Sequence, residues 1–150
     1  MKIKSKTLIN LLYALIATFV LLALSILAPG IFDEVRGNMF ALALFGLGGT
    51  FMVLGFAIAV LAKKHIKDTK LKKFLMLAGF SAGSFLILTV IHNVFYAVAE
   101  TFQHVLIVKY VATALDIVSF LLSIFVVPVT FLIGVIGSIV VYHRGKNGTG

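Results

Sequence analysis

Cysteine is absent, which removes disulfides, thiolate metal sites, iron-sulfur clusters and thiol nucleophiles. Acidic residues are scarce, with five Asp and Glu in 150 positions. No pair of acids falls within one apolar run, and HExxH, GxSxG and a nucleotide loop ending in GK[ST] are all missing. Gly46 to Thr50 reads GLGGT, but it lies inside an apolar run with no strand before it, so helix packing explains it better than phosphate binding. Only one histidine, His92, lies within a long apolar run, so a haem held by two facing histidines is not expected. No catalytic, cofactor-binding or metal residues are assigned, and the chain is read as a non-enzyme without a cofactor.

Charge is also sparse. At 12% charged and 61% hydrophobic, with a mean hydropathy of +1.17, a soluble fold of this length could not hide its apolar surface. The formal net charge of +8 does not point to nucleic acid, because the basic residues sit in clusters beside apolar runs rather than along one face. The densest cluster, Lys63 to Lys73, holds six of the thirteen Lys and Arg. Lys63, Lys64, Lys67, Lys70, Lys72 and Lys73 are read as contacts for anionic lipid headgroups, with the bilayer itself as the default partner.

Between charges lie four long intervals: Thr7 to Phe32, Gly37 to Ala62 and Phe74 to Ala99 at 26 residues each, and Ile117 to His143 at 27. A hydrocarbon core of about 30 Å takes about 20 helical residues. The chain is therefore expected to be a single all-α domain over residues 1–150: a polytopic four-transmembrane-helix bundle of two hairpins. Its spans fall near 8–28, 39–62, 74–98 and 117–142. The apolar start has a basic n-region but is too long for a signal peptide's core, so it is read as a retained first span. Residues 102–115 are read as an interfacial helix or an outward extension of the fourth span, and residues 145–150 as a disordered tail. Eleven Lys and Arg fall on the side of the termini and the central loop, against Arg36 and Lys109 opposite. That bias predicts a multi-pass cell-membrane protein with both termini cytoplasmic.

In lipid, helices associate through small residues and hydrogen bonds, so stripes of such residues mark buried faces. Helical periodicity predicts seams of Asn10, Ala14, Ala17, Ser25 and Ala28 in the first span, and of Ala41, Gly48, Met52, Gly55, Ala59 and Ala62 in the second. The third carries a Gly79/Gly83 GxxxG pair on one face, with Ser81, Phe85, Thr89, His92, Tyr96 and Glu100 on the other. GxxxG is read as internal packing. The fourth aligns Asp116, Ser119, Ser123, Thr130, Gly134, Gly137 and Ser138, as a dry seam or the wall of a polar path, and Pro128 predicts a kink that frees the Ile124 carbonyl.

Ionisable groups inside a membrane are costly to bury and are functional suspects by default. The candidate polar site comprises His92, Asn93, Tyr96, Glu100, His104 and Asp116. The spacing of His92, Tyr96 and Glu100 lets Glu100 hold the imidazole, and with His104 or Asp33 the set could complete a cation site. At about 1.5 Å per residue, counting up from Tyr142 puts Asp116 at the outer interface, with His92 deeper. Function is read as a packing, assembly or complex subunit, homo-oligomeric or part of a larger membrane complex. The alternative is a small transporter or channel for a solute or cation.

Overall fold

The computed structural model describes residues 5–27 and 38–147. Among the described residues the fold is all-helical, without strands: α1 (Ser5–Leu27), α2 (Asn38–His65), α3 (Thr69–Thr101), α4 (Leu106–Leu121), a π-helical turn (Leu122–Val126) and α5 (Val127–Asn147). Four helical segments are long and apolar enough to cross a membrane, with α4, the π turn and α5 forming one continuous rod. Residues 106–121 thus extend the fourth segment rather than forming a separate surface helix. Residues 145–147, expected in a disordered tail, instead complete the last turn of α5. Ala28 and the turn carrying Asp33, Glu34 and Arg36 lie outside the described residues, as do residues 148–150.

Helix α3 is the hub, packed against α2 on one side and α4 and α5 on the other. Its start is set by Asp68, whose carboxylate accepts from the backbone N–H of Lys70 at 2.8 Å and Leu71 at 3.0 Å. The one acid in the basic loop thereby caps two orphan donors at the positive helix end. The chain reverses at Phe102–Val105, where Val105 N–H donates to the Phe102 carbonyl at 3.0 Å.

Glycines set the closest approaches. A Cβ on Gly79 would lie 2.5 Å from the Gly55 carbonyl oxygen and 2.8 Å from the Ala59 nitrogen, so the GxxxG pair meets the Gly55/Ala59 face of α2 within the same chain. On the other side, Gly134 lies against the backbone of Ala78, and the Ser81 hydroxyl donates to Thr130 Oγ1 at 2.8 Å. The large apolar residues opposite the fourth stripe, Leu121, Phe125, Leu132 and Ile136, all face outward.

Helix α1 departs from the expected pattern. Of the expected seam Ser25 is buried, but Asn10, Ala14 and Ala17 are exposed, and Leu8, Leu12, Leu15 and Leu22 are buried instead. A small-residue seam works only where the partner helix offers small residues in return. The glycine faces of α2, α3 and α5 are turned to one another, so α1 joins by interdigitating leucines.

Rings from all four segments meet at mid-height: Phe19 lies 4.8 Å from Phe131 and 5.8 Å from Phe51, and Phe51 lies 5.2 Å from Phe131 and 6.2 Å from Phe85. Offset and tilted pairs of this kind add directional attraction to dispersion. In a detergent micelle, whose apolar interior competes with the core for apolar surface, Phe131→Ala should cost mainly its cavity and ring contacts, about 2 kcal/mol. Thermal unfolding followed by circular dichroism checks this, and Phe125→Ala, on the outward face, should change little.

Candidate functional site

The deepest ionisable groups of α3 and of the fourth rod face each other. His92 Nδ1 lies 2.5 Å from Asp116 Oδ1, with side chains 27% and 16% exposed. Both atoms are shielded from solvent; the contact lacks ordinary hydrogen-bond alignment, and neither atom has another polar partner among the described residues. Phe120, one turn along α4 from Asp116, places its ring 5.1 Å from the imidazole ring at a tilt of 44°. That distance lets an aromatic face support a protonated imidazole.

The imidazole's partner is Asp116, not Glu100. Glu100 is exposed and accepts from Gln103 Nε2 at 2.9 Å. Asn93 turns back to donate to the Thr89 carbonyl at 2.7 Å, while Tyr96 and His104 are exposed. Of the six candidate residues, the structure brings only His92 and Asp116 together. Among the described residues no three His, Cys, Asp or Glu are placed to hold a metal. The pair's separation is also too short for a shared cation: nitrogen and oxygen ligands at about 2.0–2.2 Å from a tetrahedral metal stand more than 3 Å apart. The contact suits instead an imidazolium set directly beside a carboxylate.

The level of Asp116 along the bundle also differs from that given by counting up from Tyr142. Gly137 sits against the Phe74 ring, so Tyr142, five residues further on, lies below the level of Phe74. Eleven residues separate Ser81 from His92, whereas fourteen separate Asp116 from Thr130. The π turn accounts for part of this, because its wider turn rises less per residue. It is also where Pro128 acts. The α-helical bond that a Pro128 N–H would make to the Ile124 carbonyl is absent, and Val127 N–H donates five residues back, to Leu122.

Sequence reasoning could have found the pair by counting from the hairpin turn. His92 lies ten residues before Phe102 and Asp116 eleven after Val105. Phe120 had no signal, being one aromatic in an apolar run.

The hydroxyls along the rod are satisfied by their own helix. Ser119 donates to the Leu115 carbonyl at 2.7 Å, Ser123 to Phe120 at 2.9 Å, Thr130 to Val126 at 2.8 Å and Ser138 to Gly134 at 2.7 Å. Such back-bonding leaves no hydroxyl proton for a passing solute.

At the opposite end, Lys63, Lys64, Lys67, Lys70 and Lys73 are exposed and Lys72 is half-buried. Among the described residues no lysine or arginine makes an ion pair, and Asp68 is taken up by its capping bonds. Comparison of the chain with protein-family models, curated proteins and solved structures finds no match, so what the site does is read from its own geometry.

Proposed function

We propose that the chain is a non-enzymatic, multi-pass cell-membrane protein that acts as a packing or complex subunit, with both termini and the lysine-rich loop cytoplasmic. The observation that carries this reading is the state of the polar stripe on the fourth rod: its glycines lie against α3 and its hydroxyls bond their own backbone. That is how close-packed helices in lipid satisfy polar groups, and it leaves the stripe poorly suited to conduct. Affinity purification in mild detergent should yield a homo-oligomer or a stoichiometric partner. A monodisperse monomer without any partner would sink the reading.

Orientation is tested by single cysteines in the otherwise cysteine-free chain. Lys67→Cys and Gln103→Cys should react with an impermeant maleimide from opposite sides of the membrane; labelling from one side would overturn the topology. These lysines, without an ion pair among the described residues, also make anionic headgroups the expected lipid partner. Replacing all six by alanine should lower the co-purifying anionic phospholipid several-fold, and an unchanged lipid ratio by mass spectrometry would remove that partner.

A second reading, transport of a small cation or proton, is favoured by one observation: an ionisable pair between two long apolar helical segments. Liposome flux unchanged by His92→Gln and Asp116→Asn would exclude it.

A further inference from the structure

The far part of the α3–α4 hairpin is held differently from the rest of the bundle. The cluster of buried side chains reaches along α3 only to Phe85 and along the fourth rod only to Phe131. Beyond those rings, only Ala99 of α3 and Ala112 and Ser119 of α4 are buried in this arm. Large apolar residues such as Ile107, Tyr110 and Val118 face outward. The arm joins α5 through the π turn, a widened segment without the ordinary α-helical bonding that stiffens the helices on either side. Its one charged contact with α3 is Asp116 to His92.

We propose that His92 and Asp116 form a binding site for a single proton, and that this proton clasps α4 to α3 while the π turn serves as the hinge on which the arm opens. The ligand class follows from the geometry. A separation of 2.5 Å is too short for a metal ion bridging the two atoms and suits an imidazolium, carrying one bound proton, beside a carboxylate. With one proton shared, the pair is an imidazolium beside a carboxylate and carries no net charge. Adding a second proton neutralises Asp116 and leaves the imidazolium without its counter-ion. Removing the shared proton leaves the carboxylate without its own. Either change places an uncompensated charge among apolar helices, which is expensive until water reaches it. Few side chains of the arm are buried to oppose that opening.

Other charges are poorly placed to take over. On α3, Tyr96 is one turn away and exposed, and Glu100, a further turn out, is engaged by Gln103. On α4, Lys109 and Tyr110 lie two turns away and are exposed, as is His104 in the turn. Residues 7–27 of α1 carry no ionisable side chain except Tyr13, which lies towards the basic end, and residues 38–62 of α2 carry none. Asp33, Glu34 and Arg36 lie outside the described residues. The proposal does not depend on whether the protein assembles or transports, since it concerns how one pair holds one arm.

The absence of native cysteine makes the test direct. Spin labels at Ala97→Cys and Ala114→Cys, both exposed on the arm, report its opening in the full chain in liposomes by double electron–electron resonance across a pH series. A second label pair at Val60→Cys and Phe80→Cys, exposed on α2 and α3, reports the core. A single short distance is expected at intermediate pH, with the longer population rising several-fold toward both acid and alkaline extremes while the core pair stays constant. The neutral double variant His92→Gln/Asp116→Asn should flatten the profile. If that variant loses the core distance, the exchanged pair His92→Asp/Asp116→His should restore both the core and the two-sided pH response. A flat wild-type profile, the same profile in the folded double variant, or opening only together with the core would each overturn the proposal.

Discussion

Alanine at Gly79 or at Gly134, and likewise at Gly55 on the facing helix, should destabilise the bundle more than alanine at the other described glycines, by about 3 kcal/mol each. The reason is what the new methyl group would meet. At Gly79 it comes within 2.5 Å of the Gly55 carbonyl oxygen, and at Gly134 it overlaps the backbone nitrogen of Ala78. Backbone inside a helix cannot step aside, so whole helices must separate, and the close packing along the seam is what holds helices together in lipid. At Gly83 and Gly137 the obstacles are the rings of Phe56 and Phe74, which can rotate, so alanine should cost about 1 kcal/mol there. At Gly49, where nothing lies within 4 Å, alanine should be neutral or slightly stabilising through its better helix propensity. Thermal unfolding of these variants in one detergent gives the ranking. Equal losses at Gly49 and Gly79 would refute the seam.

The second large effect should come from deleting Ile124. Removing one residue from the π turn lets the rod close into regular α-helix and turns α4 about 100° relative to α5. The α5 seam through Thr130, Gly134 and Gly137 sits below the deletion and should hold. Asp116 would then swing away from His92, leaving an imidazole and a carboxylate each without its partner, a loss of about 3 kcal/mol. Deleting Ile124 in the His92→Gln/Asp116→Asn background should cost much less, because no charge is then left alone. Equal costs in the two backgrounds would show that the π turn does not set the pairing. Amide hydrogen exchange should locate the change in residues 86–121 and spare the aromatic cluster around Phe131.

The glycine seams and the arm divide the molecule by rigidity. Around Gly55, Gly79 and Gly134, backbones approach too closely to slide. Beyond Phe85 the hairpin is held by small alanines and a charged pair. If the proposed opening occurs in a membrane, the core would stay fixed while this end changes shape, and the exposed Tyr96 and Tyr110 would suit the headgroup layer there.

What the sequence determined by itself was whatever depends on one helix alone. Charge-free intervals such as Phe74 to Ala99 mark a span because bilayer thickness sets a length, and no neighbour is needed to read it. The seams of α2, α3 and α5 were legible for the same reason: glycine at helical spacing makes a groove on its own helix. The tertiary structure decided what needs two helices at once. That His92 meets Asp116 rather than Glu100 depends on the hairpin register, on the level at which Gly137 packs beside Phe74 and on the π turn. That α1 buries leucines and exposes Ala14 and Ala17 depends on which faces its neighbours had left. Lipid is as apolar as leucine, so hydropathy does not distinguish a side chain facing lipid from one facing protein, and only packing separates the two.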